Sequence, residues 1–241
     1  MRAARDGMNL LANDRDGYRG RGMFVKICGI TNEDDALLSV AMGADAVGFN
    51  FVQGSTRQIA AQVAYDITRR LPPEILTVAI FRDEHPKRVI DVAHKAGVKA
   101  VQLHGRETAA DTREIAQAFR WVIKVFNARD PQLPNADQYG TDMIMIDGPE
   151  PGSGKVFDWS LAGDAPDQLK LIVAGGLTPD NVGAAIDEIH PWGVDVASGV
   201  EKSPGKKDAL AVKRFIENAK AHAPSPYAGD DDDIPYDWDF E

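Results

Sequence analysis

The stretch Gly43-Ala-Asp-Ala-Val47 is the first of four copies of one short pattern: a glycine, a small or β-branched residue, a charged residue and an apolar run. The other copies begin at Gly97, Gly140 and Gly193, so the four glycines are spaced by 54, 43 and 53 residues. Each glycine follows a plausible helix and suits the left-handed position that ends one, and each apolar run is typical of a buried strand. A repeat of about 50 residues indicates repeated supersecondary units.

One further strand fits inside each period, which gives eight predicted strands. The four additional strands are Phe24 to Cys28, Ile75 to Phe81, Trp121 to Phe126 and Leu171 to Ala174. Amphipathic stretches between the strands predict helices at 33–42, 60–70, 86–96, 108–119, 179–189 and 207–222, with only short or irregular connections after strands 5 and 6. Alternation of strands and helices predicts right-handed βαβ units and a parallel sheet covered on both faces. The sequence therefore predicts the α/β class and a single-domain (β/α)8 TIM barrel, rather than an open doubly wound sheet, whose GxGxxG motif is absent after the first strand.

Both ends of the chain look like appendages to that domain. Residues 1–22 are rich in Arg, Gly and Asp without a sustained period, and residues 224–241 begin with Pro-Ser-Pro and end in DDDDIPYDWDFE. We therefore divide the chain into a flexible N-terminal extension (1–22), a barrel catalytic domain (23–223) and a flexible acidic tail (224–241). A solvated tail is the favoured interpretation, although Tyr236, Trp238 and Phe240 would also suit a docking peptide.

Charge and cysteine content exclude several classes of protein. The net charge of −10 includes seven acids in the last twelve residues, and without them it would be −3, with no basic stripe for nucleic acid. No apolar run reaches the roughly 20 residues that span a bilayer, and the N-terminus lacks the apolar region of a signal peptide. The single cysteine cannot form an internal disulfide. These features predict a soluble cytoplasmic protein that binds neither nucleic acid nor a membrane. The partner expected instead is a small phosphorylated molecule, and the sequence leaves open whether the protein is a monomer or a homodimer.

The carboxyl ends of the strands carry the chemistry in a (β/α)8 barrel. The polar side chains at or just after the predicted strand ends are those of Cys28, Arg57, His104, Asp147, Asp195 and Ser198. A thiol, carboxylates, a guanidinium and an imidazole on one rim suit proton transfer next to an anionic ligand. Lys26 alternates with Cys28 onto the same face, where a cation would favour the thiolate.

Each of these candidates also has a structural interpretation. Cys28 could be a small core residue, Asp147 a helix N-cap or loop residue, and His104 a packed histidine satisfied by a backbone carbonyl. The four remaining histidines have no metal-ligand spacing and are predicted to be surface residues: His85, His94, His190 and His222. We therefore predict no metal site.

Two glycine elements predict a phosphate site. Gly175-Gly176 is followed by Thr178 as a predicted N-cap and Pro179 at the first helical position, and amides at such a turn bind phosphate. Ser198-Gly199 offers the same chemistry after strand 8, and the loops after strands 7 and 8 form the usual phosphate site of this fold. The stretch 151–155 fails the Walker A pattern and is predicted to be a mobile loop, either a lid or a plain connection.

Eight motifs follow one another between about residues 23 and 220: KICGIT with Cys28, the SxR of Ser55 and Arg57, VQLHG, a strand ending in Asp147, GSGKVFDW, AGGLTPDNV, VDVASGVE and SPGKKD. In content and order this set resembles the phosphoribosylanthranilate isomerase family of tryptophan biosynthesis. The resemblance implies a (β/α)8 barrel without metal or organic cofactor. It also implies an Amadori rearrangement of N-(5-phospho-β-D-ribosyl)anthranilate to 1-(2-carboxyphenylamino)-1-deoxy-D-ribulose 5-phosphate.

The resemblance also implies a role for each residue of the rim. Cys28 would be the general base, Asp147 the general acid, and Arg57 the partner of the anthranilate carboxylate. The further residues expected to bind substrate, with the phosphate on the glycine loops, are His104, Gly154, Gly175, Gly176, Asp195, Ser198 and Gly199.

Other functions stay open at this point. The related histidine-pathway isomerase uses two aspartates for the same rearrangement, and the thiol at strand 1 argues against it. Ribulose-phosphate epimerases need metal-binding histidines, and indole-glycerol-phosphate synthase needs strand-end lysines that do not occur as a set here. A non-catalytic barrel that binds a phosphate ligand is the remaining alternative, against which the presence of both Cys28 and Asp147 argues.

Overall fold

The computed structural model describes residues 22–148 and 165–223, and within them eight parallel strands close into a barrel. The strands are β1 Phe24–Ile27, β2 Ala46–Asn50, β3 Leu76–Phe81, β4 Ala100–Leu103, β5 Trp121–Asn127, β6 Met143–Asp147, β7 Lys170–Val173 and β8 Gly193–Val196. Closure comes from β1 and β8, which pair from Phe24 with Gly193 to Ile27 with Val196. The predicted (β/α)8 fold is confirmed.

Helices lie between most of the strands. They are α1 Glu33–Ala41, α2 Ala61–Thr68, α3 Pro86–Lys95, α4 Ala109–Ala118, α5 Val182–Ile189 and α6 Ala209–Ala221. As predicted, the connection after β5 is irregular: a 3₁₀ segment, Leu133–Tyr139, takes the place of a helix. After β8 come a 3₁₀ turn, Ser198–Val200, and a small hairpin of β9 Glu201–Ser203 and β10 Lys206–Lys207, which the periodicity did not predict. None of the described helices is long and apolar enough to cross a membrane.

The core has two layers because side chains alternate across each strand. On β4, Val101 and Leu103 belong to the layer between strands and helices, while Ala100 belongs to the layer inside the barrel. Gln102 alternates onto the same inner face as Ala100, near the carboxyl end of the strand. Because it lies near this end, the side chain of Gln102 reaches the mouth of the barrel.

Three of the four repeat glycines have the predicted left-handed conformation, Gly43 and Gly97 after α-helices and Gly140 after the 3₁₀ segment. Gly43, Gly97 and Gly140 have φ of 97°, 64° and 72°. The prediction for Gly193 was wrong, because His190 takes the left-handed position after α5, with φ of 52°. Gly193 instead opens β8, where a Cβ would stand 2.8 Å from Cδ1 of Phe24, so a side chain would collide with β1.

Helix α5 also begins later than predicted. Residues 178–181 form a turn in which Thr178 N–H donates to Oδ1 of Asn181 (2.7 Å) and Asp180 N–H donates to Oγ1 of Thr178 (3.3 Å). Regular helix starts only at Val182, so Thr178 and Pro179 are not its N-cap and first residue. These side-chain bonds satisfy the backbone as a turn before the helix begins.

Candidate active site

A cavity of about 380 Å³ opens at the carboxyl ends of the strands. Its lining comes from every part of the predicted rim that is described: Cys28, Arg57, His104, Asp147, Gly175, Gly176, Asp195, Ser198 and Gly199. The structure therefore brings together nine of the ten predicted site residues. The tenth, Gly154, lies outside the described residues, as does the whole 151–155 stretch.

Cys28 stands next to a buried ion pair. Lys26 is fully buried and its Nζ lies 2.8 Å from Oδ1 of Asp195. The Cβ position at Gly48 is 3.2 Å from both Sγ of Cys28 and Nζ of Lys26, so the two side chains share a face of the barrel as the alternation predicted. Thiol, ammonium and carboxylate thus form one cluster at the base of the cavity.

The charges of this cluster act on the thiol in opposite directions. Burial raises the pKa of Cys28, and the carboxylate of Asp195 adds to that rise. Lys26 and Lys207 favour the thiolate but do not outweigh burial, so the pKa stays above the ordinary value. For Lys26, burial favours the neutral amine, but attraction to Asp195 and Cys28 is stronger and raises its pKa. The raised pKa of Lys26 favours an ammonium ion beside Cys28.

Asp147 ends β6 on another part of the cavity wall and is in contact with His104. Its Oδ2 lies 3.0 Å from Nε2 of His104, and its Oδ1 accepts a hydrogen bond from the Gly148 amide at 2.8 Å. Gly175 lies directly against this carboxyl group, since a Cβ there would come within 2.7 Å of Oδ1. The left-handed φ of 88° at Gly175 and this close approach together require glycine.

A second buried ion pair lies beside the backbone that follows His104. Lys124, on β5, lies 2.9 Å from Oε2 of Glu107 and donates to the carbonyl of Gly105 at 2.7 Å. Glu107 in turn accepts from the amides of Asp83 (2.9 Å) and Gly105 (3.0 Å). These bonds tie the ends of β3, β4 and β5 together around the residue that follows His104.

Arg57 is held by a carboxylate of this chain. Its Nε and Nη2 pair with Glu201, with Nη2 2.7 Å from Oε2, and Lys207 Nζ lies 3.1 Å from Oε1 of the same side chain. Burial opposes the charged form of Glu201, but the hydrogen bonds and charges of Arg57 and Lys207 outweigh it and lower its pKa. Gly29 lets Arg57 approach, because a Cβ there would stand 2.6 Å from Cδ. The Nη1 side of the guanidinium faces no partner among the described residues.

The two glycine loops meet at the cavity after β7 and β8. A Cβ on Gly199 would overlap the carbonyl oxygen of Leu177, so the loops touch backbone to backbone. Gly175 and Gly176 both have left-handed φ, 88° and 68°. Within residues 22–148 and 165–223, neither of their amides donates to another residue. These N–H groups suit an anion at the cavity mouth.

The sequence interpretation missed the residues that hold the rim in place. Glu201, Lys207, Gln102 and the Lys124–Glu107 pair were not assigned. Lys124 had a signal, because a charge in the middle of the buried run WVIKVFN must be paired. The sequence carried no signal for Glu107 as its partner, because the contact depends on how two loops fold over the strand ends.

Comparisons with known proteins show which family the chain is similar to. The model of a family described as N-(5'phosphoribosyl)anthranilate (PRA) isomerase matches residues 25–218. The N-(5'-phosphoribosyl)anthranilate isomerase of Thermotoga maritima is 46% identical over 200 residues, which cover 81% of this chain and 98% of that protein.

Two solved structures share the fold over the same region. The phosphoribosyl anthranilate isomerase of Thermus thermophilus superimposes with a TM-score of 0.78 at 35% identity, over 83% of this chain and 99% of that one. A phosphoribosyl anthranilate isomerase in complex with reduced 1-(o-carboxyphenylamino)-1-deoxyribulose 5-phosphate has a TM-score of 0.73 at 42% identity, with the same coverage. The chain therefore belongs to the phosphoribosylanthranilate isomerase family and is an isomerase of tryptophan biosynthesis.

Proposed function

We propose that Cys28 and Asp147 carry out the Amadori rearrangement of N-(5-phosphoribosyl)anthranilate as general base and general acid. The observation that carries the proposal is their arrangement: a thiol beside an ammonium and a carboxyl group beside an imidazole line one cavity, together with two glycine loops. The two residues lie far apart in the sequence, and closure of the barrel brings them to the same cavity.

The first step is opening of the ribose ring. A proton reaches the ring oxygen, the C1′–O bond breaks, and the anthranilate nitrogen supplies the electron pair that forms the iminium. A carboxylic acid suits this step, and Asp147 stands at the cavity wall with His104 as its proton partner at 3.0 Å.

The second step is proton removal from C2′. The iminium acidifies this proton, and its loss gives an enolamine that tautomerises to the ketone, so no atoms are gained or lost. Cys28 takes the proton as thiolate. Because burial raises the pKa of the free thiol, the neighbouring ammonium of Lys26 is what stabilises the reactive form.

The substrate would be held by its two anionic ends. The phosphate would bind the amides of Gly175 and Gly176 and the turn at Ser198 and Gly199. The anthranilate carboxylate would bind the Nη1 side of Arg57, which the Glu201 pair leaves available. Asp195 would hold Lys26 next to the thiol. Gly154, which follows β6 in the sequence, would contribute to binding of the substrate.

The reaction also suggests where the enzyme acts. We propose a cytoplasmic enzyme whose partner is this small phosphorylated molecule, because the single cysteine requires no oxidising compartment. No part of the proposal needs a nucleic acid or a membrane.

The acid assignment is tested by Asp147→Asn, which keeps the size but cannot deliver a proton. With freshly generated phosphoribosylanthranilate, followed by loss of anthranilate fluorescence, kcat should fall by about 10²-fold or more. Asp66→Asn, on the exposed face of α2, is the matched control and should behave as the native enzyme. A loss confined to KM would reassign Asp147 to substrate positioning, and faster turnover of the histidine-pathway aldosylamine would favour the alternative isomerase.

A further inference from the structure

Gln102 is the buried amide behind the proposed acid. It lies near the end of β4, is 1% exposed, and lines the same cavity. Its Nε2 lies 3.2 Å from Nδ1 of His104. Its Oε1 is buried and has no hydrogen-bond partner within the part of the chain that the structure describes. An acceptor buried in this way costs free energy unless another state of the site gives it a donor.

The contacts run in a line from this amide to the acid. Gln102 meets Nδ1 of His104, and the opposite ring nitrogen, Nε2, meets Oδ2 of Asp147 at 3.0 Å. The second oxygen of Asp147 is already occupied by the Gly148 amide. A change in which ring nitrogen of His104 carries a hydrogen therefore changes the hydrogen bond that Gln102 can form with Nδ1.

Two protonation states of the pair need opposite ends of the amide. In the tautomer in which Nε2 of His104 carries the hydrogen and donates to the carboxylate of Asp147, Nδ1 accepts from the amide N–H of Gln102. When the pair holds a second proton, Nδ1 carries a hydrogen too and needs an acceptor. Rotating the amide by half a turn places Oε1 there and gives the unpartnered oxygen its donor.

We propose that Gln102 is a positioning residue that lets the His104–Asp147 pair hold the catalytic proton, by turning its amide from donor to acceptor. The inference rests on the proposed role of Asp147. The proton shared between Nε2 and Oδ2 leaves to the ring oxygen of the substrate and is replaced from solvent, and no electrons are exchanged beyond those of the ring opening.

Other titratable groups from the neighbouring elements line the cavities beside this pair, and the variants below leave these groups in place. The titratable and charged groups that line the same two cavities as the pair are Cys28, Arg57, Arg82, Asp83, Arg106, Asp130 and Asp195. Comparing variants that differ only at position 102 therefore separates the effect of Gln102 on the pH profile from the effect of these groups.

The test is the pH profile of kcat/KM in two variants with opposite predictions. Gln102→Met keeps the length but removes the acceptor, so activity should be lost at lower pH and the basic limb should move down by about one pH unit. Gln102→Glu supplies an anionic acceptor and should move the basic limb up by about as much. KM should stay within about two-fold in both, and Gln117→Met, exposed on α4, is the control.

A double-mutant cycle separates this role from packing. In a His104→Asn background, Gln102→Met should leave kcat and the profile unchanged, because the imidazole through which it acts is gone. Persistence of the full effect there, or shifts of the same sign in both variants, would overturn the inference.

A spectroscopic measurement covers the case in which a variant does not fold. In the native protein, the ¹⁵N shifts of His104 should show a hydrogen on Nε2 alone at high pH and on both nitrogens at lower pH. A hydrogen on Nδ1 alone at high pH would overturn the inference. Failure of the proposed function gives a different result: Asp147→Asn would retain its activity, independently of the outcome for the Gln102 variants.

Discussion

Cys28 carries the only thiol of the chain, and its neighbours act on its charge in opposite directions. Burial and Asp195 favour the neutral thiol, while Lys26 favours the thiolate. The ion pair of 2.8 Å between Lys26 and Asp195 positions the ammonium beside the thiol. The reactivity of one residue is thus set by a pair of buried charges.

This balance predicts how Cys28 reacts with iodoacetamide. Because its pKa is raised, the midpoint of the rate-against-pH curve should lie above the value of about 8.5 for a free thiol. Lys26→Met removes the cation and should move the midpoint further up, whereas Lys87→Met, exposed on α3, should not. The measurement is unambiguous since there is one cysteine. A midpoint below that of a free thiol would show that Lys26 outweighs burial.

At the scale of elements, the loops after β2 and β8 are joined by Arg57 and Glu201. The bidentate pair orients the guanidinium with its remaining edge free, which a lysine ammonium cannot reproduce. The rigid strand ends thus supply the catalytic groups, and the loops supply the groups that hold the anionic ends of the substrate.

Arg57→Lys should therefore weaken substrate binding more than turnover. We expect KM to rise by roughly 10-fold with kcat within a few-fold. A lysine keeps the charge but cannot form the two parallel hydrogen bonds that a guanidinium makes with the anthranilate carboxylate. Arg69→Lys, exposed beyond the end of α2, is the matched control. An unchanged KM would place the anthranilate carboxylate elsewhere.

The elements also show what the sequence could and could not predict. Strand positions and strand-end residues such as Cys28 and Asp147 were predictable, because alternation and helix-ending glycines are local signals. The exception at Gly193 arose because packing against Phe24, from the far end of the chain, decides the need for glycine there. The Arg57–Glu201 pair joins residues 144 apart, and no periodicity encodes such a contact.

At the scale of the molecule, the barrel joins sites that are distant in sequence. Cys28 directly follows the first strand and Asp147 ends the sixth, and both reach one cavity because all eight strands run in parallel. The described barrel ends with α6 and with His222, whose Nδ1 lies 2.9 Å from Asp187. Everything that the proposed reaction uses, apart from Gly154, lies within these described residues.

A chain that ends at Ala223 should accordingly fold and keep its kcat. Residues 224–241 carry seven acids and no helical period, so their sequence offers little apolar surface for docking. KM should hold, or fall slightly at low salt if the acids repel the anionic substrate, and the difference should vanish at high salt. A lower kcat or a large drop in Tm would show that the tail's aromatic residues contact the barrel.

The central claim is that the thiol of Cys28 removes the C2′ proton, and the most direct test is the single-turnover rate of Cys28→Ser with phosphoribosylanthranilate. A hydroxyl has a far higher pKa than a thiol, so the rate should fall by about 10²- to 10⁴-fold while Tm and substrate affinity stay close to native. A rate within a few-fold of the native enzyme would contradict the account and remove Cys28 from the mechanism.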